Sequence, residues 1–130
     1  MSLSKQIIDL QSTLHERAKE LCKAEIIKPS QLTSISNDCQ TILNLAKKIN
    51  SIELNDRFTE MEKAAEEIKN ATDSLDKAAA KIQDAQKFFE ILSPLIQLVQ
   101  AVPSAITNSS VATIGNLAKQ LRGIGDQLNT

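Results

Sequence analysis

Apolar residues recur every three or four positions along nearly the whole chain, the spacing of a helix with one buried face. Leu3, Ile7, Leu10, Leu14, Leu21 and Ala24 define a first stripe, with Arg17 as its single misfit. Lys28-Pro29-Ser30 closes it, because proline disfavours helical geometry in the residue before it. Leu32, Ile35, Cys39, Ile42, Ala46 and Ile49 define a second stripe, and Asn50-Ser51 reads as its end. The expected helices are 3–27 and 31–50.

A third stripe repeats every seven residues: Leu54, Phe58, Met61, Ala65, Ile68, Thr72, Leu75, Ala79, Ile82, Gln86 and Phe89. Only Thr72 and Gln86 are polar. Ala64, Ala71, Ala78 and Ala85 flank the stripe on one side, while Glu62, Lys69, Asp76, Gln83 and Glu90 flank it on the other. A two-stranded coiled coil carries charge on both flanks of its seam. One alanine flank widens the apolar face and suits a heptad helix packed between two neighbours in a bundle, with the alanines as a helix-packing face. The pattern predicts one continuous helix over 52–92, about 54 Å long as counted from its core repeat at 1.5 Å per residue. A last stripe, Val111, Ile114, Leu117, Leu121, Ile124 and Leu128, predicts a helix over 110–128. Gly115, Gly123 and Gly125 each weaken it by about 1 kcal/mol relative to alanine.

The fold expected from these stripes is all-α and single-domain over 1–130. It is an up-down-up-down four-helix bundle with a short apolar helix, 94–102, after the long one.

Charge singles out one segment. The chain carries 15 basic and 16 acidic side chains, yet Ile91–Ala118 contains none. Ser93-Pro94 reads as a helix start and Pro103 as its stop. Between them Leu95, Ile96, Leu98, Val99 and Val102 leave only Gln97 and Gln100 as a thin polar stripe. A helix this apolar is either a cap over the core or a docking tip, built from Leu92, Leu95, Ile96, Leu98, Val99 and Val102. A long helix followed by an uncharged apolar tip is an outline shared with α-helical pore-forming toxins and helical cell-death domains, although no residue motif accompanies it. Membrane insertion of 91–118 is therefore an alternative expectation, because the usual barrier of about 2.5–3.5 kcal/mol per central charge is missing.

Composition narrows the chemistry. A net charge of −1 gives no field toward nucleic acid. Three Phe, with no Tyr or Trp, provide no base-stacking platform. One His and two Cys offer no metal box and no nucleophile–base pair. No enzyme activity, cofactor, metal or small-molecule substrate is expected. A protein partner or self-association is expected instead, in a cytoplasmic setting, since neither an apolar leader nor a run of 18 apolar residues occurs. Cys22 and Cys39 form a candidate thiol pair. A hairpin turning near Pro29–Gln31 would bring them to the same height on adjacent helices.

Overall fold

In a computed structural model, the backbone of residues 3–53, 62–108 and 111–130 is described, with side chains over 3–50, 65–102 and 114–130. Leu54, Phe58 and Met61, and the side chains of Ala64 and Val111, lie outside the described residues.

Five α-helices are present among the described residues, not four: α1 Leu3–Lys23, α2 Pro29–Glu53, α3 Glu62–Ala78, α4 Ala85–Asn108 and α5 Val111–Asn129. A tight 3-10 turn, Ala79–Lys81, follows α3. α1 packs against α2 and α3, α2 against α4, and α5 against both α3 and α4, which closes a ring of helices around one core.

The first hairpin is set by its turn. α1 ends at Lys23, four residues before the expected 27. The Ile26 N–H donates to the Leu21 carbonyl at 2.9 Å and the Glu25 N–H to the Cys22 carbonyl at 3.0 Å. That pattern ends a helix with one residue in the left-handed region, here Glu25 at φ 64°. A glycine would hold this position without the steric cost that a side chain incurs there, about 1 kcal/mol. Pro29 then opens α2 as its first residue, and the Gln31 Oε1 accepts the Lys28 N–H at 2.9 Å, half of a capping box.

The first two stripes form the core as expected except at Ala24, which is exposed in the turn beyond α1, and Ala18 is buried beside the misfit Arg17. Ile7, Leu10 and Leu14 on α1, and Ile35, Cys39, Ile42, Ala46 and Ile49 on α2, are buried.

The third stripe is interrupted. The expected helix 52–92 ends in the 3-10 turn, Ile82 is extended at φ −72° and ψ 128°, and the chain reverses before Ala85. Two interactions hold the reversal. The Asp84 carboxylate accepts the Lys87 N–H at 2.8 Å and caps α4. The Arg17 Nε and Nη2 both donate to the Ile82 carbonyl, at 3.1 and 2.9 Å. A cation at a helix C-terminus also suits the partial negative charge there. The misfit of the first stripe thus anchors the break in the third.

Beyond the break the buried stripe moves by one residue. Ala85, Phe88, Leu92, Leu95, Val99 and Val102 are buried, whereas Gln86 is exposed and Phe89 half-buried. The heptad read through Gln86 and Phe89 had therefore left the core register. The separate helix 94–102 is also corrected, since α4 runs through both Pro94 and Pro103. Pro94 removes the N–H that would bind the Glu90 carbonyl, and Glu90 lies on the exposed stripe, where water can serve that carbonyl.

α5 runs parallel to α3 and very close to it. Ser74 Oγ donates to the Asp126 carboxylate, Asn129 Nδ2 to the Ser74 carbonyl, and Lys81 Nζ to the Asn129 carbonyl. A Cβ on Gly125 would come within 2.5 Å of Ser74 Oγ and 3.0 Å of the Ser74 backbone. Gly115 and Gly123 face open space. The three glycines are thus not equivalent. Gly123→Ala should raise stability by about 0.5–1 kcal/mol. Gly125→Ala should lower it by about 1–3 kcal/mol through overpacking. Denaturant titration of the two variants measures both signs.

Candidate functional site

The expected docking tip faces inward. Leu92, Leu95, Leu98, Val99 and Val102 are at most 1% exposed, and only Ile96 is partly open. The solvent side of α4 is a single stripe of Gln86, Glu90, Ser93, Gln97 and Gln100. An uncharged segment enters a core without desolvating an ion, so the feature that suggested a tip also suits an interior helix. Among the described residues no helix is long and apolar enough to cross a membrane. That finding, with the inward apolar face of α4, corrects the expectation of a membrane partner for 91–118.

The alanine row divides at the break. Ala71 and Ala78 are buried on α3, one turn either side of Ser74, where α5 approaches. Ala85 is buried at the first position of α4. Ala71, Ala78 and Ala85 thus pack within the chain.

The thiol pair is out of register. Across the α1–α2 hairpin Ser4 meets Asn50, the Cys39 thiol reaches the Gln11 carbonyl, and His15 Nε2 lies 2.8 Å from Ser36 Oγ. Cys22 is level with the start of α2, about ten residues or 15 Å along the axis from Cys39. The early end of α1 at Lys23 moved the turn and hence the pairing. Both cysteines are free.

What the sequence did not reveal is a seam between α1 and α3. These helices run parallel and leave two adjoining depressions, of about 340 and 120 Å³. The larger is lined by Glu16, Arg17 and Glu20 from α1 with Asp76 from α3 and Ala79 and Ala80 from the 3-10 turn that follows it. Asp9, Leu10, Thr72 and Asp73 line the smaller, and Asp76 borders both. Five carboxylates from two helices thus share one groove with a partly apolar floor. Among the described residues Arg17 is the only base lining it, committed to the Ile82 carbonyl and to Glu20 at 3.2 Å, and Lys19 pairs with Glu16 at 3.2 Å from outside the lining. Each acid taken singly reads as an ordinary exposed helix charge. No single-helix pattern carries the parallel pairing that assembles them. On α3, the Glu67 Oε2 is buried without a hydrogen-bond partner among the described residues.

The two cysteines and His15 lie outside this lining. Cys39 is buried under α1, and burial, reinforced by the neighbouring Asp38 carboxylate, pushes its thiol from 9.0 up to about 12. Burial raises Asp38 above the usual carboxylate range as well. Among the described residues no cluster of His, Cys, Asp and Glu could hold a metal ion. The chain matches no known family model, curated protein or solved structure.

Cys22 should react readily with a thiol reagent in the folded protein, whereas Cys39 should react only on unfolding. Between about pH 9 and pH 12 an unfolded chain loses the Cys39 proton while the folded chain keeps it, so this group makes stability fall as pH rises through that window. Thiol counting with and without denaturant, and unfolding curves for wild type and Cys39→Ala across that window, measure both effects. The variant should lose this share of the alkaline decline.

Proposed function

We propose that this protein is a non-catalytic interaction module that seats a basic segment of a partner protein in the seam between α1 and α3. The observation that carries the reading is the pairing of acids across one groove. Asp9, Glu16 and Glu20 stand on one wall and Asp73 and Asp76 on the other, over Leu10, Ala79 and Ala80. A helix with Lys or Arg on its flanks and small apolar residues along its contact face fits such a floor and such walls. Charge of this kind sets partner choice and association rate more than raw affinity. Binding should therefore weaken as salt shortens the reach of exposed charges.

Leu92, Leu95, Leu98, Val99 and Val102 of the tip, with Ala71, Ala78 and Ala85, do not serve this reading, because the fold draws them into its own core. Among the described residues the large apolar side chain left open is Ile26, in the α1–α2 turn and outside the seam. A surface with few apolar side chains favours a partner recognised by charge and shape over one held by a wide greasy patch.

A photo-crosslinker at Ala80, in the seam, should capture a partner with a basic segment, and one at Thr41, on the exposed side of α2, should not. Reversing Asp73 and Asp76 to Lys should reduce capture at Ala80 by about tenfold or more with helicity unchanged. Capture that survives the reversal, or that occurs equally at Thr41, would remove the seam as the binding site.

A further inference from the structure

The reversal between α3 and α4 contains no residue that requires it. From Ala78 to Phe89 there is neither Gly nor Pro, and Lys81, Gln83 and Ala85 are compatible with a continuing helix. The chain turns because the Asp84 carboxylate caps α4 and because Arg17, from another helix, holds the Ile82 carbonyl. Neither interaction is covalent. Without them the local preference is one continuous helix from 62 to 108, about 70 Å long.

The helices on either side of the break are not each other's main neighbours. α4 packs on α2 and α5, while α3 packs on α5 and α1. Opening the break therefore sacrifices little between α3 and α4 and carries α4 and α5 away together. The departing pair cannot remain in water, because Phe88, Ile91, Leu92, Leu95, Leu98 and Val99 would all be uncovered. Each such side chain is worth about 1.5–3 kcal/mol of burial. The surface shaped to receive it is the α1–α2–α3 face vacated in another copy of the same chain.

We infer that the segment Ile82–Asp84 is a hinge through which two copies of this chain exchange their α4–α5 pairs. The exchanged dimer rebuilds between subunits the contacts that α4 and α5 make with α1, α2 and α3, including the Ser74–Asp126 bond and the close approach at Gly125. Only the break itself differs, becoming a turn of helix. A short connection held by tertiary contacts is the setting in which such exchange costs least. The inference is independent of the α1–α3 seam, and its failure would leave that reading standing.

Refolding of the full chain under reducing conditions, at low and at high protein concentration, tests it by size-exclusion chromatography with light scattering. High concentration should trap a dimer of unchanged helicity that persists for hours on dilution. Asp84→Ala, which removes the cap, should raise the dimer share several-fold. Gln83→Pro should suppress the dimer. Ile82 already has the extended geometry that precedes proline, while a proline at 83 breaks a continuous helix. A chain that stays monomeric at high concentration in both wild type and Asp84→Ala would overturn the exchange. A dimer that falls apart at once on dilution, or that forms equally in folded Gln83→Pro, would do the same. If Gln83→Pro does not fold by circular dichroism, the cap variant and the dilution behaviour decide alone.

Discussion

Two N–H groups of Arg17 on the Ile82 carbonyl join the first helix to the place where the chain reverses. A carbonyl freed at a helix end needs a donor, and here the donor comes from a side chain sixty-five positions earlier in the sequence. With the reversal in place, α4 returns through the molecule to lie against α2 and α5, and α5 comes back along α3. Without it, the same residues would continue away from the core.

The absence of ions over Ile91–Val102 suits that route. A helix with neighbours on several sides has no wide face on which to keep a charge hydrated, and an unpaired charge inside would cost several kcal/mol. The polar positions of α4 narrow to one line, of which Glu90 is the only ionised member after Lys87, and these two form an ion pair at 2.8 Å near the helix start. Close packing elsewhere depends on small residues in the same way. Ser74 and Gly125 let α3 and α5 approach until side chains bond to backbone, which fixes their relative height.

Much of this was legible in the residues. The stripes through Ile7 and Leu14, and through Ile35 and Ile49, match buried faces directly. The narrow polar line of α4 was visible as Gln97 and Gln100. Three features of the helices themselves were hidden. The heptad continued through Ile82 to Phe89 with only Gln86 to mark the slip, and the cap at Asp84 resembled one more flanking acid. Ser93-Pro94 looked like a start because proline usually stands there, yet a carbonyl on the wet side tolerates its loss. Glu25 gave no sign of a helix end, since glycine is the residue usually found in that backbone conformation. The acidic seam was hidden more deeply, as it exists only once α1 and α3 lie side by side.

Among the described residues the large apolar side chains other than Ile26 are drawn inward, those of α4 included, while carboxylates such as Asp73 and Asp76 face outward. Amide hydrogen exchange over 91–102 tests this division most directly. If α4 is the sealed interior helix, these amides exchange only through opening of the whole molecule, in the slowest class, with the same denaturant dependence as Ile35–Ile49 on α2. Exchange over 91–102 that is fast and insensitive to denaturant, while α2 remains protected, would show that the segment lies outside the core.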